Sequence, residues 1–316
     1  MNIEEAASIC DRVMKEVGKV IVGKKNVIEK IILAIISNGH VLIEDYPGLA
    51  KTLMAKTIAA TLGCKFKRVQ FTPDLLPADI TGTYIYNQKT GEFELRKGPI
   101  FTNILLADEI NRAPPKTQSA LLEAMQERQV TLDGKTHLLE QPFIVIATQN
   151  PIEYEGVYPL PEAQLDRFLM KLRIGYPSKE EEKEILRRRI LRKSDDVKVE
   201  KIINAEDVIE LQKIVEEVYV DESIISYIVQ IVRETRRHSR VEVGVSPRGA
   251  LALLKLSRAH ALFHGRDYVI PDDVKFVAMD ALAHRIVLKP ELAIRGLRQE
   301  IVIEEVLKKV PVPKVL

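Results

Sequence analysis

Lys51 and Thr52 close a short segment, EDYPGLAKT (44–52), whose residue types suit the binding of phosphate. An apolar run precedes the segment and a helical pattern follows it. Phosphate would therefore meet the unpaired N–H groups and the positive end of a helix. Lys51 would reach the β- and γ-phosphates of a nucleotide, and Thr52 would bind Mg²⁺.

The same segment departs from the usual phosphate-loop pattern, which is Gly, four residues, then Gly-Lys-Ser or Gly-Lys-Thr. Asp45 and Ala50 occupy the two glycine positions. Gly48 can still make the turn with positive φ, and Ala50 adds one methyl group, which is tolerable if its φ is already helical. The carboxylate of Asp45 would repel phosphate, so we expect it to point away or to be paired. Alone, the segment fits a nucleotide site and a plain strand–turn–helix about equally well.

Polar side chains end two further apolar runs. NILLADE (103–109) ends in Asp108, which would join the shell of a Mg²⁺ ion, and Glu109, which would act as general base towards water. FIVIATQN ends in Asn150, an amide that could hold the attacking water opposite Glu109. Each pattern also fits an ordinary buried strand with a polar end, but together with the phosphate-loop segment they are far more specific.

Two arginines could complete such a site. Arg167, in LPEAQLDRF, would by itself be typical of a surface charge. In an oligomeric ATPase, an arginine at this place projects towards the γ-phosphate of the neighbouring subunit, where it stabilises transition-state charge. Arg248, in VSPRG, lies in the first turn of a predicted helix, from which it could report γ-phosphate to a second domain.

The elements that must position these residues are strands alternating with helices. Five short apolar runs predict buried parallel strands over 40–45, 65–71, 103–109, 142–150 and 168–177. Helical patterns cover 51–62, 117–127 and 161–167. This alternation predicts a doubly wound α/β sheet with right-handed crossovers.

Two alternating segments, 83–96 and 129–139, predict β-hairpins inserted beside the sheet, the second around Asp133-Gly134. They could serve a partner or substrate, or have no function. Tyr84 and Tyr86 on the first hairpin could grip a substrate or pack on the sheet.

The strand signals stop after Pro177. A charged stretch, 178–204, predicts a helix that becomes a linker. Amphipathic patterns then predict helices near 205–218, 222–238, 247–264 and 271–284. We therefore predict an α/β core over 1–178, a helical linker over 179–204 and a small all-helical domain over 205–316.

Composition excludes several classes of protein. The chain has 316 residues, of which 46% are hydrophobic, and a formal net charge of +2. An ordered globular protein is expected. A protein dedicated to binding nucleic acid or a membrane surface is not expected, because it would carry a large excess of basic residues. No apolar run is long enough to span a membrane, and the charged start is unlike a signal peptide. These features predict a cytoplasmic protein.

His260 and His264 lie four residues apart on a predicted helix, a spacing that could bind a metal ion. No glutamate lies between them and the sequence shows no third ligand, so we do not expect a metal here. The basic stretches RRRILRK and RETRRHSR are interpreted as solvated helix faces rather than nucleic-acid sites.

Four blocks of the sequence closely resemble the MoxR family of AAA+ ATPases. They are EDYPGLAKT, LLADEINRAPPKTQSALLEAMQER, FIVIATQNPIEYEGVYPLPEAQLDRF and SPRGALALLKLSRAHAL. The similarity runs from Val22 to Ala283. It implies a five-stranded parallel AAA+ sheet flanked by helices, with inserted hairpins and a small C-terminal helical lid domain. Because family members often carry this Asp and sometimes this Ala, the resemblance also implies a working phosphate loop.

The resemblance assigns roles to individual residues. It makes Glu109 the catalytic acid–base residue, Asn150 sensor 1, Arg167 the arginine finger and Arg248 sensor 2, although SPRG here replaces the commoner SPRA. The implied ligands are ATP and Mg²⁺, with the metal on Thr52 and Asp108. The implied nucleotide-binding residues are Val22, Gly23, Asp45, Tyr46, Pro47, Gly48, Leu49, Ala50, Lys51, Thr52, Leu53 and Asp108.

The family's members look like ring-forming chaperones that use ATP to mature or activate other complexes, often with von Willebrand factor A-domain partners. The resemblance thus implies a hexameric ring. Two alternatives stay open: a nucleotide-binding switch or scaffold with low turnover, and the ATPase subunit of a DNA-translocating or magnesium-chelatase-like machine. The absence of a strongly basic stripe disfavours the DNA version.

Overall fold

The structure is a computed structural model that describes residues 1–151, 157–194 and 197–314. Its strands are β1 (Val41–Glu44), β2 (Phe66–Gln70), β3 (Gly82–Asn87), β4 (Glu92–Lys97), β5 (Ile104–Asp108), β6 (Gln129–Leu132), β7 (Lys135–Leu138), β8 (Ile144–Gln149), β9 (Met170–Leu172), β10 (Val241–Val243) and β11 (Val287–Leu288). Its helices are α1 (Ile3–Gly18), α2 (Lys25–Ile36), α3 (Lys51–Thr61), α4 (Pro77–Thr81), α5 (Pro115–Glu127), α6 (Glu162–Leu165), α7 (Lys179–Arg192), α8 (Ala205–Glu217), α9 (Glu222–Arg237), α10 (Pro247–Phe263), α11 (Pro271–Leu282), α12 (Pro290–Ile294) and α13 (Gln299–Lys309).

A five-stranded parallel sheet in the order β2-β5-β8-β1-β9 forms the centre of the molecule. All five predicted strands are confirmed. Along them, successive side chains enter two different apolar clusters, because side chains alternate between the faces of a sheet. Leu106 belongs to the cluster that also contains α1, α2 and helices α8 to α11, and Leu105 to the cluster on the other face, with α5.

The register of the sheet brings the carboxyl ends of its strands to one edge. Gln70 at the end of β2 is opposite Asp108 at the end of β5, and Glu44 at the end of β1 is opposite Gln149 at the end of β8. The predicted polar strand ends therefore meet at one place.

Both predicted hairpins are confirmed, as β3–β4 and β6–β7. The hydroxyl of Tyr84 bonds to Nε2 of His137 on the second hairpin at 3.1 Å, so Tyr84 joins the two hairpins. Tyr86 packs against Phe93 with ring centroids 5.3 Å apart, and both rings are mostly exposed. Tyr86 is thus available for a partner, and neither tyrosine enters the core of the sheet.

The C-terminal region is helical, as predicted, with one addition. The short strands β10 and β11 pair as an antiparallel ribbon, so the region is not entirely helical. Strands of two or three residues are too short to show an alternating pattern in the sequence. The domain boundaries remain a prediction, since one apolar cluster runs from the central sheet through α2 to the C-terminal helices.

Helix α2 was not predicted from sequence. Every residue from Ile31 to Ile36 is buried, and a short continuous apolar run of this kind fits a buried strand as well as a helix. Within the described ranges, no helix is both long and apolar enough to cross a membrane.

Candidate active site

Lys51 is the first residue of α3, directly after the loop that follows β1. Its Nζ donates a hydrogen bond of 2.6 Å to the backbone carbonyl of Asp45. Gly48 has φ +82°, the positive value that the sequence predicted for the turn. The loop therefore brings Lys51 and Thr52 to the start of a helix at the carboxyl edge of the sheet, where an anion would be stabilised.

The condition under which Ala50 would be free of strain, a helical φ, is not met. Its φ of +57° lies in the left-handed region, not the helical one, because this residue caps α3 at the point where the chain turns into the helix. For a residue with a Cβ atom, this conformation costs about 1–2 kcal/mol. Ala50 thus adopts the backbone that the usual glycine would adopt, at a cost in stability.

Asp45 is paired, as expected. Its carboxylate is buried and accepts hydrogen bonds from the backbone N–H groups of Ile174 at 2.7 Å, Gly175 at 2.6 Å and Tyr46 at 2.8 Å. These bonds tie the start of the phosphate loop to the chain just after β9. The carboxylate is used in hydrogen bonds to the protein's own backbone, so it does not obstruct an anion on the loop.

Glu44, next to Asp45, joins the loop to the C-terminal region. Its carboxylate contacts Gln149 at 2.6 Å, Lys171 at 2.7 Å and Arg173 at 2.8 Å. Burial raises the pKa of Glu44, but the two cations and the amide outweigh burial and leave the pKa lowered. Arg173 also pairs with Glu300 of α13 at 3.3 Å, so the end of β1 is linked to that helix.

Asp108 lies in a dense network at the end of β5. One carboxylate oxygen accepts from Nε of Arg68 at 3.0 Å and from Nη2 at 2.7 Å, and the other accepts from the hydroxyl of Thr148 at 2.5 Å. Arg68 and Thr148 lie on the two strands that flank β5. Asp108 is therefore fixed by both of its neighbouring strands.

Glu109 turns away from the strand with a left-handed φ of +56°. Its backbone N–H donates to Thr148 Oγ1 at 2.9 Å, and its carboxylate accepts from Gln70 Nε2 at 2.6 Å and Arg112 Nη1 at 3.1 Å. Sequence reasoning missed Gln70. The available signal was its position next to the end of the strand predicted over 65–71.

Asn150 follows β8 and is buried. Because β8 lies between β5 and β1 in the sheet, Asn150 belongs to the edge that carries Glu109 on one side and the phosphate loop on the other. The structure thus brings together the predicted residues Lys51, Thr52, Asp108, Glu109 and Asn150.

The residues predicted to hold Mg²⁺ have suitable chemistry. Mg²⁺ prefers oxygen ligands, which the hydroxyl of Thr52 and the carboxylate of Asp108 supply. Arg68 already occupies one oxygen of Asp108, so an ion bound directly to that oxygen would displace the guanidinium group. The residues fit the ion, with Arg68 as a competing cation.

An apolar cavity of about 150 Å³ lies beside the phosphate loop. Val22, Leu49 and Leu53, which the resemblance gives as nucleotide-binding residues, contribute to its wall, and so does Pro177, which it does not give. Gly23 does not line the cavity. A Cβ atom there would lie 1.8 Å from Oε1 of Glu181, so Gly23 permits close packing against α7.

Arg167 and Arg248 lie at the opposite edge of the sheet. The N–H of Leu169 donates to the carbonyl of His40, just before β1, at 2.8 Å, which places Arg167 at the amino ends of the strands. Asp45 follows His40 by five positions along β1, a distance of about 16 Å. Arg248 Nη1 lies 3.6 Å from the carboxylate of Asp166, the residue before Arg167. Neither arginine faces the phosphate loop of its own chain.

The two arginines line a groove of about 320 Å³ that is rich in cations. Its charged lining residues are Arg128, Asp166, Arg167, Arg248, Lys255 and Arg285. Five cations and one carboxylate leave this groove with an excess of positive charge, as suits an anionic group.

Arg285 positions the segment 166–168, called the arginine loop because it carries Arg167, and was not predicted from sequence. Its guanidinium is almost fully buried and donates to the Asp166 carboxylate at 2.7 Å and to the Phe168 carbonyl at 2.7 Å. Burial lowers the pKa of Arg285, while Asp166 opposes the shift. The C-terminal region therefore holds the segment that carries Arg167.

Comparisons with known proteins agree with this geometry. Residues 40–170 match the family model described as "ATPase family associated with various cellular activities (AAA)", and residues 233–306 match the AAA lid domain. The chain is 47% identical to Chaperone MoxR1 of Mycobacterium tuberculosis, over 96% of this chain and 82% of that one. It is 52% identical to the protein YeaC of Bacillus subtilis, over 98% and 97% of the two chains. A solved structure from Cytophaga hutchinsonii, described as a presumptive ATPase, superposes with a TM-score of 0.92 at 46% identity and covers 98% of this chain and 96% of that one.

Proposed function

The chain belongs to the MoxR family of AAA+ ATPases, and from this premise we propose that it works as a ring of identical subunits that remodels or activates partner protein complexes. It is an ATPase that binds nucleotide. The ring, the individual site residues and the clients are the parts that we propose.

The main support for a ring is the separation of the two arginines from the phosphate loop of the same chain. In one chain, Lys51 and Glu109 lie at the carboxyl edge of the sheet, and Arg167 and Arg248 lie at the amino edge beside a cationic groove. If the amino edge of one subunit meets the carboxyl edge of the next, both arginines reach the γ-phosphate of the neighbour. That contact is heterologous, and repeating it closes a ring when the rotation between neighbours is a whole fraction of a turn. We propose six subunits.

Within each site, the residues act in the following way. Lys51 binds the β- and γ-phosphates, while Thr52 and Asp108 hold Mg²⁺, which screens phosphate charge. Glu109 takes a proton from the attacking water, which Asn150 orients. The arginines of the next subunit stabilise the charge that develops in the transition state. The apolar cavity at Val22 accommodates the base.

The clients are proposed to be protein complexes, including von Willebrand factor A-domain proteins. The name of the mycobacterial relative, a chaperone, supports this class of client. The exposed pair Tyr86 and Phe93 on the first hairpin supports a role of the hairpins in client contact. We place the protein in the cytoplasm.

Mixing two inactive variants tests the proposal directly. Arg167→Ala should bind ATP normally and lose about 10³–10⁵-fold in turnover, and Lys51→Ala should not bind ATP. In a mixed ring, an intact phosphate loop can meet an intact arginine, so ATPase activity should partly return. Arg295→Ala, at an exposed arginine, should keep wild-type turnover, which shows that losing a surface arginine does not by itself inactivate the protein. If the mixture stays as inactive as its components, the shared site is excluded.

A further inference from the structure

A cluster of three metal-ligating side chains lies away from the nucleotide site, between α2 and α10. Nε2 of His260 and Nε2 of His264 are 3.2 Å apart, and Oε1 of Glu29 lies 3.6 Å from the first and 3.3 Å from the second. Within the described part of the chain, these are the only three His, Cys, Asp or Glu side chains whose ligand atoms lie within 4.8 Å of one another. The third ligand that the sequence did not reveal is Glu29.

We propose that Glu29, His260 and His264 bind one Zn²⁺ ion. Ligands at about 2.0–2.1 Å from a tetrahedral zinc ion lie about 3.4 Å from one another. The three observed separations scatter around that value, so the atoms already occupy one face of a tetrahedron. Two imidazoles and one carboxylate suit zinc better than Mg²⁺ or Ca²⁺, which take oxygen ligands.

The environment of Glu29 favours a bound cation. Its Oε1 is buried and has no hydrogen-bond partner, although a buried carboxylate oxygen is costly unless it is bonded. The atom lies within ion-pair distance of two ring nitrogens but has no hydrogen bond to either, and the two nitrogens lie within hydrogen-bond distance of each other. An ion at the centre of the cluster would replace that contact and bind all three atoms.

The surroundings of His260 orient its ring for a metal. Nδ1 donates to the carboxylate of Asp273 at 2.5 Å, which leaves the lone pair of Nε2 pointing into the cluster. Arg266 fixes that carboxylate with two bonds, of 2.7 and 2.6 Å. A carboxylate behind a ligating histidine is the usual support of a zinc site.

The side chain of His264 is 48% exposed, whereas those of Glu29 and His260 are nearly buried. The cluster is therefore open to solvent on the side of His264, where a water molecule would complete the tetrahedron. A bound ion would link α2 to the end of α10. The residues just before α2 line the apolar cavity, and Arg248 lies in the first turn of α10. The site is independent of the proposed ring.

Titration of the untagged, nucleotide-free full chain with Zn²⁺ and with Co²⁺, in excess Mg²⁺, tests the site. Wild type should bind one equivalent of each, and Co²⁺ should give the visible absorption of a tetrahedral ion. Glu29→Gln and His264→Ala should each weaken binding by at least about 100-fold. The matched control is His238→Ala, because His238 pairs with Glu305 at 3.0 Å but is not part of a three-ligand cluster. It should bind like wild type.

Thermal unfolding supplies a second readout. Added Zn²⁺ should raise the Tm of wild type and of His238→Ala, since an ion that binds only the folded state stabilises it. It should leave the Tm of Glu29→Gln unchanged. Glu29→Gln preserves the shape of the side chain, so folding should survive. The site is refuted if wild type shows no saturable binding, or if Glu29→Gln binds Zn²⁺ as tightly as wild type.

Discussion

Asp45 and Ala50 replace the two glycines of the usual phosphate loop in physically different ways. Asp45 lacks the backbone freedom of glycine, but its carboxylate accepts three backbone N–H bonds. Two of these bonds, from Ile174 and Gly175, connect the loop to the chain just after β9. Ala50 keeps the left-handed backbone of a glycine and has the strain that a Cβ atom brings. Restoring the two glycines should therefore have opposite effects.

Asp45→Gly is predicted to destabilise the protein even though it restores the usual motif. The N–H groups of Ile174 and Gly175 would lose a charged acceptor, at a cost of about 2–3 kcal/mol. Urea unfolding should show a lower midpoint, while Asp74→Gly, at an exposed aspartate, should show only the small effect of a surface glycine. An unchanged midpoint for Asp45→Gly would mean that the bonds from Ile174 and Gly175 contribute nothing.

Ala50→Gly is predicted to stabilise the protein by about 0.5–1 kcal/mol. Removing the Cβ atom relieves about 1–2 kcal/mol of left-handed strain in the folded state. Glycine also stabilises the unfolded chain through its larger conformational entropy, by about 0.4–1 kcal/mol, which is the smaller of the two effects. Ala60→Gly is the matched control, because Ala60 is an exposed residue inside the same helix. It should lower stability by about 1 kcal/mol. The same sign of change in both variants would contradict the strain at Ala50.

At the scale of elements, the site depends on side chains that tie neighbouring strands and helices together. His40, just before β1, accepts a bond from the N–H of Val145 in β8 at 2.9 Å and donates to the Met125 carbonyl at the end of α5 at 3.0 Å. Arg285 likewise connects the C-terminal region to the arginine loop, through bonds to Asp166 and Phe168. The amino edge of the sheet is thus held by buried polar contacts.

His40 should make stability depend on pH. Burial first, and then the charge of Arg128, lower the pKa of His40 from 6.5 to about 3. Between those values the unfolded chain binds a proton that the native chain does not, so stability falls as pH decreases below 6.5 and is fully present above it. This group should contribute about 1.4 kcal/mol per pH unit to the slope of the free energy of unfolding against pH. Urea unfolding of His40→Gln should lack that part of the slope.

The control for His40→Gln lies within the same experiment. Above pH 6.5 both states of the wild type hold His40 neutral, so the two proteins should then show parallel pH dependence. If the variant keeps the full wild-type slope between pH 3 and 6.5, His40 does not become charged on unfolding.

At the scale of the whole molecule, the residues proposed for hydrolysis lie on two different edges of one sheet, so under the proposed function a single subunit would lack part of the site. Specific ATPase activity should therefore rise steeply with protein concentration and then level off once rings have formed. Arg167→Ala should stay low throughout. Activity that is independent of concentration would favour a complete site within one chain.

Steady-state hydrolysis also separates the alternatives to a chaperone. Turnover that is absent at every concentration would favour a nucleotide switch or scaffold. Stimulation by DNA would favour a translocating motor.

Local sequence determined the elements and the chemistry of the carboxyl edge. Apolar runs that end in polar residues fixed the five strands, and the parallel order made Asp108, Glu109 and Asn150 neighbours of Lys51. Both hairpins followed from alternation and turn residues. These features depend on contacts between residues close in sequence or on the regular register of a sheet, and both leave a pattern in the chain.

Only the tertiary structure decided the partners of individual side chains. The bonds from Asp45 to Ile174 and Gly175 span about 130 positions, and Glu29 meets His260 and His264 from a different helix. The place of Arg248 beside Asp166 likewise depends on how the C-terminal helices dock on the sheet. Such contacts are set by the packing of whole elements, and packing leaves no periodic signal in one sequence.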